Sequence, residues 1–131
     1  MGAPQTRLIR PLDSWKRLEK RMILNHVHLS VRDLDLTVRW IKEVWRAEPS
    51  VSNEQMAIVT FGPFTVIFDK ADTDTKATLG FESRDCDADY QAVVGRGAVP
   101  IEAPANRPWG TRSAYLHGPG AMTFEIEQLS A

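Results

Sequence analysis

The sequence has a single cysteine, little net charge and no long apolar run, and each shortage removes a class of protein. Cys86 alone cannot close an internal disulfide, so no oxidised framework is expected. The apolar runs fall far short of the ~20 residues that cross a bilayer. The basic, mixed stretch from Arg7 to Arg21 lacks the apolar core of a signal peptide, which makes a cytoplasmic, reducing address the default expectation. A net charge of −1, with Lys and Arg spread along the chain, offers no broad positive field for phosphates. Nucleic acid is therefore a poor candidate partner.

What is present suits one globular domain. The chain has 131 residues, 43% hydrophobic and 25% charged, enough for a real core but not for two independent ones. Residues 1–22 read as an N-terminal extension punctuated by Pro4 and Pro11. Asp13-Ser14 can cap a short helix from about Trp15 to Met22, with Leu12, Trp15 and Leu18 on one face. That face either docks on the domain or belongs to a partly ordered extension.

From Ile23 the pattern becomes regular. Ile23–Val31 alternates as a strand, placing Val27, Leu29 and Val31 on one face and His26, His28 and Ser30 on the other. Asp33 or Asp35 can cap a helix from Leu36 to Arg46, in which Trp40 and Trp45 read as helix-packing residues, and Pro49 stops it. A short strand is expected near Pro49–Ser52. Two more, Met56–Phe61 and Phe64–Asp69, flank Gly62-Pro63 as a hairpin. After a polar linker, Ala77–Ser83 reads as a strand and Ala88–Arg96 as a helix stopped at Gly97. Val99–Ala103, Ser113–His117 and Met122–Glu127 read as strands, with a proline-rich loop at Pro104–Pro108.

The two halves therefore repeat one order, β-α-β-β-β. Arg-Asp-x-Asp occurs at 32–35 and at 84–87, each time between a strand and a helix. Phe61-Gly62-Pro63 corresponds to His117-Gly118-Pro119, and Phe68-Asp69 to Phe124-Glu125. Four features in one order make a duplicated unit the economical explanation, with module one at 23–70 and module two at 77–129.

The segments Asn25–Leu34, Trp109–Tyr115 and Gly118–Ile126 resemble the opening strand, the Trp-Gly entry to the penultimate strand and the closing hairpin of the vicinal-oxygen-chelate superfamily. This is the family of glyoxalase I, the bleomycin-resistance proteins and the extradiol dioxygenases. The closing hairpin departs from the usual Asp-Pro-Asp-Gly-Asn by having glycines in place of both aspartates. The resemblance covers Ile23–Gln128. It implies an α+β fold of two βαβββ modules forming curved mixed sheets, a glyoxalase-like domain over 23–131, and pockets that often pair modules across a homodimer.

In metal-dependent relatives an ion is held by one residue from the first and last strand of each module. Carried over, those positions are His26, Phe68 or its neighbour Asp69, Thr78 and Glu125. His26 and Glu125 suit nickel, zinc, iron or manganese, whereas Thr78 is a weak donor. Phe68 and Asp69 cannot both face the pocket, because a one-residue shift reverses the side. Without a metal, His26 is a hydrogen-bonded neutral imidazole, and Glu125 is either a general base raised by burial or the partner of a cation. Cys86, flanked by aspartates, receives no role.

The favoured expectation is a binder of the bleomycin-resistance kind that needs no metal. It would hold an aromatic or amphipathic molecule among His26, His28, Phe68, Trp109, Tyr115 and Glu125, with Arg112 near the mouth. A net charge of −1 sits poorly with a binder of cationic drugs. The second reading is a lyase, epimerase or ring-cleaving dioxygenase using a metal on His26 and Glu125, which requires at least three good ligands. The third is a dimerisation module without a ligand. Fold analogy does not separate the three.

Overall fold

A computed structural model describes residues 22–129. The expected helix at Trp15–Met22 lies, except for Met22, outside the described residues. Eight strands and two helices follow in order: β1 (His26–Val31), α1 (Leu34–Trp40), β2 (Val51–Ser52), β3 (Met56–Phe61), β4 (Phe64–Lys70), β5 (Thr78–Glu82), α2 (Cys86–Gly95), β6 (Pro100–Asn106), β7 (Thr111–His117) and β8 (Thr123–Leu129). The strands form two four-stranded sheets, ordered β1-β4-β3-β2 and β5-β8-β7-β6. In each, the first strand of the module runs parallel to the last, and the remaining pairs are antiparallel. The fold is α+β, two βαβββ modules with mixed sheets.

Strand alternation decides which face of each sheet is buried. Leu29 and Val31 of β1, Ala57 and Val59 of β3, and Val66 and Phe68 of β4 are buried together with Leu34 and Ile41 from the first helical segment. Ala114 and Leu116 of β7 and Phe124 and Ile126 of β8 are buried with Cys86 and Val93 of α2. Each sheet thus presents one apolar face to its helix and leaves the other open. Both helices begin on an aspartate, Asp33 and Asp85, whose carboxylates accept the N–H of Leu36 and Ala88 at 3.0 Å. These bonds satisfy amides that the first turn leaves unpaired.

The first helix departs from expectation. It is α-helical only to Trp40 and continues as a π-helical turn over Ile41–Trp45, closed by the Arg46 N–H bonding to the Ile41 carbonyl. In an α-helix residues five apart point in different directions. The wider π turn brings them nearly into line. Here it sets Trp40 and Trp45 edge to face with ring centroids 4.8 Å apart, and both rings pack against both cores. The expectation that these tryptophans pack the helix matches their place at the join between modules.

Strand β6 runs on to Asn106, through the segment expected to be a proline-rich loop. It lies at the sheet edge and carries register irregularities between Pro100 and Ala105, the setting in which a strand tolerates proline. Helix α2 starts at Cys86, two residues before the expected start, because the cap is Asp85. The linker after β4 lies along β1: Ala71 and Thr75 donate backbone N–H groups to Val31 and Ser30, the Thr75 hydroxyl accepts from the Ser30 N–H, and Asp74 accepts from the Arg32 N–H.

Candidate functional site

The open faces of the two sheets carry the chemistry. On the first, alternation along β1 puts His26 and His28 outward, away from buried Leu29 and Val31. Their rings meet edge to face with centroids 5.3 Å apart. His26 Nδ1 lies 2.7 Å from Asn25 Oδ1, and His28 Nδ1 lies 2.7 Å from Asp69 Oδ2. Asp69 shares this face because it pairs with Ser30 in the parallel β1–β4 register. Phe68 does not share it. Its ring is fully buried on the helix side, so the expectation that Phe68 lines a ligand cleft is corrected: it is a core residue.

On the second sheet, Tyr115 and Glu125 stand opposite each other in the β7–β8 register, and the phenol donates to Glu125 Oε2 at 3.0 Å. Burial raises the Tyr115 phenol above its ordinary value, and the Glu125 hydrogen bond adds to the rise. Beside this pair lies Arg107, which the sequence did not single out. Its guanidinium carbon sits 5.2 Å from the centroid of the Tyr115 ring, within cation–π range. It also donates to Glu102 at 3.0 Å, to the Ser113 hydroxyl at 2.8 Å and to the Ser113 carbonyl at 3.0 Å. Arg107 was hidden in sequence by the surrounding prolines. Its signal was the alternation of Ser113 and Tyr115 on the adjacent strand.

Glu82 and Glu127 complete this face, since they pair in the β5–β8 register one step beyond Gly80 and Glu125. Among the described residues, Glu82, Glu102, Glu125 and Glu127 are thus four carboxylates on one sheet face against the guanidinium of Arg107. The chain is nearly neutral, but this surface is not.

Two other expected contacts lie elsewhere. Arg112 points to the helix side of β7, where it grips Asp87 of α2 through two bonds of 2.7 and 2.9 Å and also donates to Asn106 at 3.1 Å. That guanidinium holds the Asp87 carboxyl below its ordinary value. The expectation of Arg112 at a pocket mouth is corrected, because strand parity separates it from Tyr115. Trp109 sits in the turn between β6 and β7 and is 66% exposed, apart from either cluster's hydrogen bonds. Cys86 is fully buried with its thiol on the Ile126 carbonyl, and burial, then Asp87, raises its pKa.

The two modules can be matched by their bonds. The Thr65 N–H donates to the Asn25 carbonyl as the Thr123 N–H donates to that of Ala77, both at 2.9 Å. His26 therefore corresponds to Thr78, and Glu125 corresponds to Ile67, neither Phe68 nor Asp69. The four positions that hold a metal in the family resembled are His26, Ile67, Thr78 and Glu125. They supply one imidazole and one carboxylate, short of the three good ligands a conventional site needs. Asp69 lies two residues beyond Ile67, about 7 Å along the strand, and already bonds His28. Among the described residues no three His, Cys, Asp or Glu side chains form a group able to hold a metal. The residues present do not fit a resident divalent ion.

No protein-family model matches the sequence, and no curated protein matches it. Solved structures do match. A glyoxalase/bleomycin resistance protein/dioxygenase from Nocardioides is similar at a TM-score of 0.74 and 17% identity, over 84% of this chain and 85% of that one. A glyoxalase-related enzyme from Fulvimarina pelagi is similar at 0.69 and 15% identity, over 82% and 88%. Lactoylglutathione lyase from Agrobacterium tumefaciens is similar at 0.67 and 17% identity, over 79% and 91%. The chain has the fold of the glyoxalase/bleomycin resistance/dioxygenase superfamily. Among the described residues no helix is long and apolar enough to cross a membrane.

Proposed function

We propose that this glyoxalase-like chain binds a small, cationic, aromatic or amphipathic molecule, in the manner of a bleomycin-resistance protein and without a metal. The observation that carries the reading is the acidic open face of the second sheet, where the Tyr115–Glu125 pair stands among three further carboxylates. The charge is local. A nearly neutral chain therefore does not count against a cationic ligand, since clustered charge on one face sets the local field. Tyr115 offers a ring to stack on, and Glu125 accepts hydrogen bonds from a cation.

One sheet gives a ligand one wall. We infer that a second copy supplies the other, setting His26, His28 and Asp69 of its first sheet opposite Tyr115 and Glu125. Half-buried Ile58 and Ile67 on that open face provide apolar area for such an interface.

Titrating the full chain with thioflavin T, a planar aromatic cation, tests the reading against an anionic dye, 8-anilinonaphthalene-1-sulfonate. The expected result is micromolar binding of the cation only, weakened about tenfold or more in Glu125→Gln. Equal binding of the anion, or an unaffected Glu125→Gln variant, overturns it. Calorimetric titration of chelator-stripped protein with nickel, manganese, iron(II) and zinc tests the metal-enzyme alternative. Tight binding lost in a His26→Ala, Glu125→Ala double variant would establish that alternative in its place.

A further inference from the structure

The near-neutral charge of the chain divides into two opposed parts. Residues 1–21 carry six Lys and Arg against two Asp and Glu, a net charge of +4. Residues 22–131 carry ten against 15, a net charge of −5. The negative excess gathers on the open face of the second sheet. Arg107 pairs with Glu102 there, but among the described residues no cation bonds Glu82, Glu125 or Glu127. Like charges on one face repel, and a basic group brought to them relieves the repulsion.

The N-terminal segment brings more than charge. Trp15-Lys16-Arg17 sets an aromatic ring beside two cations, the combination that a cationic aromatic ligand offers to Tyr115 and Glu125. Reach is not limiting. The chain leaves the domain at its surface, where Met22, Ile23 and Leu24 are exposed. Ten residues separate Trp15 from Asn25. They span up to about 33 Å when extended, against a radius of gyration of about 13 Å for a domain of this size. Tethering also holds the segment at an effective concentration on the order of millimolar, so weak contacts suffice. We propose that the segment around Trp15, with Lys16, Arg17, Lys20 and Arg21, docks on the open face of the second sheet in its own chain, and that a cationic ligand displaces it. The competition rests on the reading of that face as a cation site. The docking does not.

Proton–nitrogen correlation spectra of the full chain test the docking without any ligand, the Trp15 indole signal being assigned by its loss in Trp15→Phe. A Glu125→Gln, Glu127→Gln double variant is expected to move that signal. Glu54→Gln, which removes an exposed carboxylate from the other module, is expected to leave it in place. Salt at about 0.5 M is expected to move it as the double variant does, because exposed charges are screened. Changing Lys16, Arg17, Lys20 and Arg21 together to Gln is expected to tighten thioflavin T binding about threefold to tenfold, as for a face otherwise covered in most molecules. Circular dichroism checks that each variant is folded. A Trp15 signal indifferent to the double variant, moved equally by Glu54→Gln, or dependent on protein dilution (the mark of docking on another copy) overturns the docking. A signal indifferent to the double variant but broadened by phosphatidylserine vesicles assigns the segment to a membrane surface instead. Unchanged thioflavin T affinity overturns the competition. Binding of the dye to neither form overturns the cation reading, and the Trp15 signal still decides the docking.

Discussion

Tyr115 and Glu125 face each other across β7 and β8, the phenol donating to the carboxylate at 3.0 Å, so the bond ties the two side chains' rotamers together. The phenol is held above its ordinary value of 10, first by burial and then by this bond. A difference titration at the phenolate absorbance, wild type minus Tyr115→Phe, is expected to give a midpoint above 10. In Glu125→Gln the midpoint falls but stays elevated, because burial is the larger cause. The stability contributed by the neutral phenol is fully present below pH 10 and is lost as pH rises through the elevated value. A midpoint at or below 10 contradicts the geometry.

Asp87 and Arg112 form a two-bond ion pair at the surface, and the guanidinium depresses the Asp87 carboxyl below 3.8. Asp87→Asn is expected to lower the melting temperature slightly at neutral pH. The difference from wild type is present in full above the unfolded value of 3.8 and disappears as pH falls through the depressed value. Added salt shrinks it too, since the pair is exposed. A difference independent of both pH and salt would show that Asp87 acts by some other means.

Neighbours in sequence, Phe68 and Asp69 occupy opposite sides of β4. Phe68→Ala is expected to cost about 3–5 kcal/mol in urea denaturation, the range for emptying a buried aromatic site. Asp69→Ala loses a half-exposed partner of His28 and is expected to cost no more than about 1 kcal/mol. The reverse order of effects would place Asp69 in the core.

Gly62 and Gly120 share a φ of 59°, yet their surroundings differ. A Cβ at Gly62 meets nothing within 4 Å, whereas one at Gly120 comes within 2.8 Å of Asp74 Oδ1, which accepts from the Arg32 N–H. Gly62→Ala is expected to cost about 1 kcal/mol for left-handed backbone alone. Gly120→Ala is expected to cost more, and Asp74→Gly in the same chain is expected to recover the excess. Equal losses from the two alanines would show that Asp74 yields freely.

Much of the fold was legible because hydrophobic alternation and aspartate caps are local signals. The spacing from His26 to Asp33 is repeated from Thr78 to Asp85, and both aspartates cap their helices. The site was less legible. The sequence aligned Glu125 with Asp69 by counting from the Gly-Pro turns, and with Phe68 by aligning the closing strands. The first hairpin turns on Gly62-Pro63 alone, while the second spends residues 118–122 on its tip, so β8 starts later relative to its turn. A turn's length is set by its own backbone geometry, and short motifs do not report it. The π-helical turn was equally silent, for Leu36, Trp40 and Val44, with Ile41 or Trp45, fit an α-helical period well enough. Arg107 escaped notice because its role is made by contacts with Ser113, Glu102 and Tyr115 rather than by any pattern around it.

The stretch from Ala71 to Thr75 has a wider consequence. Through Asp74 and Thr75 it pairs with Arg32 and Ser30 on the side of β1 away from β4, shielding that end of an edge that would otherwise be free to recruit a foreign strand. Two chains that exchanged modules by opening a hinge in this stretch would strip that shield from both copies. The same few residues that join the repeats therefore guard an edge, and opening them as a hinge would cost the bonds they make to β1.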